Sequence, residues 1–133
     1  MTLRWYSVVV DCTNVRQQAR WWAHVLGWTV FHESDDECVL IPAWVDEEAM
    51  RQTPWDRIGP GMVFVPVRDG KSAKNRLHLD LAPHTDQDRE AEIARLVALG
   101  AHAVDVGQPA DATWTVLADP EGNEFCVLSA RES

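Results

Sequence analysis

No stretch of this sequence is apolar enough to cross a bilayer, because its apolar runs stop at four or five residues, as around Met62–Val67. The opening Met1–Trp5 offers no apolar leader, so the expected location is the cytoplasm. Cysteine is scarce. Cys12, Cys38 and Cys126 are an odd number without a CxxC pair, which fits reduced thiols rather than a disulfide framework. Cationic side chains are scarce too: 12 Lys and Arg against 21 Asp and Glu leave a net charge of −9 and a pI near 4.8. That balance argues against nucleic acid and against anionic membrane surfaces as partners. There is one Tyr and there are three Phe, yet seven Trp. Each Trp brings a large apolar face with one N–H donor, which suits a core, an interface or an aromatic-lined pocket. The 133 residues make one domain, long enough to bury a core without staples.

Local patterns then place the elements. Residues 3–12 are β-branched and aromatic, a strand pattern. Asn14 and Gln17 have the spacing of a capping box, and Val15, Ala19, Trp22, Ala23 and Leu26 make one helical face that ends at Gly27. Trp21 and Val25 fall on a flank of that helix, where a partner subunit could pack, and His24 faces solvent. Strands are expected at 28–32, 38–43 and 62–67, with a long connection and one helical turn across 44–61. The second half repeats the order. Residues 76–82 alternate as a half-buried strand, Thr85 and Asp88 suggest another capping box, and Ile93, Leu96 and Val97 face a core up to Gly100. Strands at 102–106, 113–117 and 124–129 follow, the last two joined by the turn Asp119–Asn123. His32 and His102 lie near strand ends and His84 in a turn, away from any cluster.

Asp11 and Asp80 are 69 residues apart, and the helix-ending Gly27 and Gly100 are 73 apart. Repetition at that scale predicts an α+β fold of two tandem βαβββ modules, about residues 3–67 and 76–129. Side by side, the modules would curve into an incomplete barrel with a central cleft.

The strand–Asp–helix–Leu-Gly-Trp order, Asn75–Leu81 and Ala118-Asp-Pro-Glu-Gly-Asn-Glu-Phe-Cys126 together resemble the vicinal oxygen chelate superfamily, in particular its small glyoxalase-like and bleomycin-resistance-like proteins. The resemblance implies a single glyoxalase-like domain over residues 1–133 and a homodimer. It also implies four metal-ligand places, falling on Ser7, Val65, His78 and Cys126. Only His78 is a ligand type expected at its place; Val65 has no donor, and Cys126 stands where the family pattern puts Glu. No metal and no cofactor are therefore expected.

Strand alternation gives a separate view of the cleft. Arg76, His78 and Asp80 share the face opposite Leu77, Leu79 and Leu81. Glu124, Cys126 and Leu128 lie opposite Phe125 and Val127, while Trp5, Ser7, Val9 and Asp11 share a face of the first strand. The candidate site is then His78, Asp80 and Glu124 for chemistry. Trp5, Ser7, Trp44, Val65, Arg76, Trp114 and Cys126 would contact a ligand, the tryptophans as walls. Spaced two apart on a strand, His78 and Asp80 stand about 7 Å apart. Cys126 is a small apolar residue in this reading, with Arg76 the one inward cation that could activate it. The favoured function is a protein with a degenerate metal site that binds an aromatic or amphipathic small molecule. Alternatives are a metal-independent lyase or isomerase with His78 as general acid–base, and a metal enzyme with displaced ligands from His78, Asp80, Glu124 and Asp11.

Overall fold

The β-branched run Ser7–Cys12 forms β1 of the computed structural model, which describes residues 3–133. Met1 and Thr2, the start of the stretch read for a leader, lie outside the described residues. Two compact units follow one another, the first ending at Gly70 and the second running Lys71–Ser133. No helix among the described residues is long and apolar enough to cross a membrane.

In the first unit, α1 (Val15–Leu26) is capped as its sequence requires. The Asn14 side chain accepts from the Gln17 amide at 3.2 Å and donates to the Gln17 side chain at 2.9 Å. At the other end Gly27 takes φ +67°, which an L side chain resists, and donates to the Ala23 carbonyl. β2 (Thr29–Glu33), β3 (Cys38–Ile41) and β4 (Gly61–Pro66) complete a sheet of order β1-β4-β3-β2, with β1 and β4 parallel and the rest antiparallel. The expected single helical turn is α2 (Glu47–Gln52), capped by Asp46, followed by a 3-10 turn at Trp55–Arg57.

The core of this unit lies between α1 and the sheet. Phe64, Leu40, Cys38 and Met62 meet Val15, Ala19, Trp22 and Ala23, all buried. One expectation is corrected: Val25 is buried rather than on an outer flank. Gln18 is buried too, so the inward arc of α1 is wider than its apolar stripe. Trp21 packs edge-on against Trp22, ring centroids 5.1 Å apart. Gly61 is needed for a different reason: a Cβ there would lie 2.9 Å from the Leu40 carbonyl oxygen, so β3 and β4 pair closely only because it has none.

The second unit repeats the plan with β5 (Leu79–Leu81), α3 (Arg89–Ala98), β6 (His102–Ala103), β7 (Thr115–Ala118) and β8 (Glu124–Val127), in the order β5-β8-β7-β6. The α+β class and the paired βαβββ modules are as expected, and neither sheet closes on itself.

Local differences have physical causes. β5 is shorter than residues 76–82 because Leu79 pairs with Phe125, so Leu77 would face Asn123, which is committed to the turn. Leu77 is accordingly 87% exposed instead of packed. Asp88 is itself the helix cap, accepting from Glu90 and Ala91, while Thr85 sits in a separate turn closed by Gln87 and His84. Leu96 carries the buried side of α3, and Val97 is exposed. β6 stops early where Asp105 accepts from the Gly107 amide in a side-chain turn. The β7–β8 turn is held by Asp119, which is fully buried. Its carboxylate accepts from the amides of Glu121 and Asn123 and from the Asn123 side chain at 3.0, 3.0 and 3.3 Å.

Candidate functional site

The sheet of the first unit has one face on α1 and one free for other work. Ser7, Gly61, Val63, Val39, Ile41 and Thr29 stand on the free face, by the two-residue alternation of their strands. The pairing of β2 with β3 slips between Val30 and His32, and Phe31 also lines this side. Val45, Met50 and Ile58, from the 42–60 connection, form a wall beside them. Together they line a cavity of about 660 Å³, mainly apolar, with Arg4, Tyr6, Ser7 and Asp46 among its polar groups. That size lies within the range of about 300–1,000 Å³ common for small-molecule sites.

In the second unit, Asp80 pairs with Cys126 across β5 and β8. The His78 Nε2 is 3.2 Å from Asp80 Oδ1, both side chains being about half exposed. The separation is shorter than strand spacing would give, since His78 precedes β5 and is not held by its pleat. Ligand atoms of His78, Asp80 and Cys126 all fall within 4.8 Å of one another. Burial raises the Cys126 thiol pKa, and the charge and hydrogen bond of Asp80 raise it further, against a smaller opposite pull from Lys74. Both effects disfavour the thiolate, the reactive form.

These donors test the metal centre that the resemblance implies. One nitrogen, one carboxylate and one cysteine sulfur, which would bind as the thiolate, are a mixed set suited to a borderline-soft ion such as zinc, not to a hard, oxygen-seeking ion. Of the two places in the first unit, Ser7 offers a neutral hydroxyl and Val65 offers nothing. The residues do not fit an oxygen-ligated centre, and no chemical step is derived through one.

Glu124 has hydrogen-bond partners of its own. It accepts from the Lys71 ammonium at 3.0 Å and the Asn75 amide at 3.1 Å, and its side chain is 10% exposed. Burial pushes its carboxyl pKa up, but hydrogen bonds from its own backbone, Lys71 and Asn75 outweigh that, leaving it below the ordinary value. A depressed carboxyl pKa stabilises the fold above the unfolded-state value, and that contribution is lost as pH falls through the folded-state value. Glu124→Gln should therefore lower the urea midpoint at neutral pH, and the gap should narrow as the pH falls below the ordinary carboxylate range. A gap that stayed constant as the pH fell would contradict the assignment.

The other expected site residues are scattered. Ser7 lines the cavity of the first unit, and Val65 lies farther along the same face of β4. Trp5 is exposed and donates its indole N–H to the Ser7 carbonyl at 3.1 Å. Trp44 is half exposed in the turn closed by Val45 and Pro42, and Trp114 precedes β7. Arg76 is exposed in the irregular stretch before β5. The sequence reading missed Arg4, Tyr6, Phe31, Met50 and Ile58 as cavity residues. The apolar residues of the 44–61 connection were the one available hint.

A family model described as a glyoxalase-like domain matches residues 7–128. None of the curated proteins matches the chain. Among solved structures, it is similar to a glyoxalase/bleomycin resistance protein/dioxygenase family enzyme from Burkholderia phytofirmans. That match has 14% identity, covers 96% of this chain and 98% of the other, and has a TM-score of 0.67. The oxidase ChaP-H2 is 15% identical over 100% of this chain and 98% of its own, with a TM-score of 0.62. The fosfomycin resistance protein FosX from Listeria monocytogenes, complexed with Mn(II) and sulfate, is 10% identical over 98% and 92%, with a TM-score of 0.68. At such identities the likeness is one of fold.

Proposed function

The chain belongs to the glyoxalase-like domain family, and from that premise we propose that it is a small-molecule-binding protein with a degenerate metal site. The two units are then modules of one domain over residues 1–133, and the ligand is aromatic or amphipathic. What carries the reading is the cavity of about 660 Å³ in the first unit, lined by Phe31, Ile41, Val45, Met50 and Ile58. The mixed donors of the second unit support it as well, since they depart from an oxygen-ligated centre. A homodimer, as the resemblance implies, and a cytoplasmic location belong to the same reading.

The test uses a neutral aromatic probe, N-phenylnaphthylamine, whose fluorescence rises in apolar surroundings. Saturable binding of one probe per chain is the expected result. Fluorescence that rises linearly with probe, without saturation, would overturn the reading.

A second reading rests on the 3.2 Å contact between His78 and Asp80. It is a metal-independent lyase or isomerase with His78 as general acid–base and Asp80 fixing its tautomer. His78→Ala separates the two. Turnover found in a substrate screen would fall by about a hundredfold or more under the enzyme reading, whereas probe binding alone would persist under the binding reading.

A further inference from the structure

The cavity carries a charge that nothing in its apolar wall explains. Arg4 lies just before β1, and its guanidinium sits 4.8 Å from the Tyr6 ring centroid and 5.1 Å from that of Trp55. One terminal nitrogen donates to the Trp55 carbonyl at 3.3 Å. The Nε is buried and has no hydrogen-bond partner among the described residues. No carboxylate pairs with this guanidinium among them either, in a chain whose net charge is −9.

The other charges at the cavity are already engaged. The Asp46 carboxylate accepts from the Ala49 amide as a helix cap, and Glu47 and Arg51 face one another at 3.8 Å with both side chains largely exposed. Arg4 is thus a cation at the cavity wall, oriented by two rings and without a carboxylate partner among the described residues. A guanidinium forms its strongest contacts with planar or tetrahedral oxyanions, and those contacts strengthen where water is excluded.

We infer that Arg4 is an anion-recognition residue and that the cavity takes amphipathic anions, with an aromatic or aliphatic body on the wall of Phe31, Ile41 and Met50 and a carboxylate, sulfonate or phenolate oxygen toward Arg4. This inference rests on the cavity being the binding site.

Two probes that differ by one group test it. Anilinonaphthalene sulfonate is N-phenylnaphthylamine bearing a sulfonate, so the ratio of their Kd values isolates recognition of the anion. In Arg4→Met the preference for the sulfonate should fall about tenfold relative to the wild type. Arg4→Lys, which keeps the charge without the fork, should retain part of the preference. Far-UV circular dichroism confirms the fold of each variant, and if Arg4→Met does not fold, the same comparison is made on Arg4→Lys. A ratio unchanged within about twofold in the folded variants would overturn the inference and leave the cavity reading standing. Failure of the wild type to bind either probe would overturn the cavity reading, and this inference with it.

Discussion

Phe64→Ala should lower the unfolding free energy by about 3–5 kcal/mol, a large part of the about 5–15 kcal/mol typical of a domain. Phe64 is 0% exposed, pairs with Val10 on one side and Cys38 on the other, and faces α1. Removing its ring leaves a hole bounded by two hydrogen-bonded neighbours and a helix, none of which can move in without breaking the ladder. The measurement is a urea titration followed by circular dichroism. Leu77→Ser is the matching control. That residue is nearly all exposed and unpaired in the sheet, so the change should stay within about 0.5 kcal/mol. If Leu77→Ser cost as much as Phe64→Ala, residues 76–78 would have to be packed as a strand after all.

The second large effect concerns binding. Val39→Trp places an indole on the free face of β3, inside the cavity, while the buried neighbours Cys38 and Leu40 stay as they are. The ring occupies the space of about nine ligand atoms. At about 0.3 kcal/mol per atom the loss is about 2.7 kcal/mol, or about a hundredfold in Kd. Affinity for N-phenylnaphthylamine should fall by that factor with little change in thermal midpoint, because the substitution adds apolar surface to an open face rather than to the core. Retained affinity would mean that the probe, and any ligand like it, binds somewhere else.

The features legible in the sequence were those fixed over short distances. Asn14 and Gly27 mark the ends of α1 by contacts within four residues, and Asp119–Asn123 closes its own turn. The doubling of the module followed from such landmarks recurring in order. What was not legible depends on partners far away in the chain. The alternation of residues 76–82 is real, yet the register of β5 on β8 leaves its first half facing a turn. The irregularity at Val30–His32 interrupts the β2 alternation, so no strict two-residue pattern could assign Phe31 to the cavity. Arg4 belongs to no element, and only its position between Tyr6 and Trp55 gives it a role. The 3.2 Å approach of His78 to Asp80 was hidden because a residue outside the strand is free of the pleat.

The parallel pairs have a consequence for how the two halves assemble. Ser7 meets Gly61 across 54 residues, and Leu79 meets Phe125 across 46. Loop-closure entropy grows only with the logarithm of length, so these two closures differ by about 0.1 kcal/mol. The intervening antiparallel pairs close over shorter spans, Cys38 with Phe64 across 26 residues and His102 with Ala118 across 16, leaving the parallel joint as the longest-range step in each half. Chain topology therefore gives neither module a head start, and any difference in the timing of their assembly must come from side-chain packing.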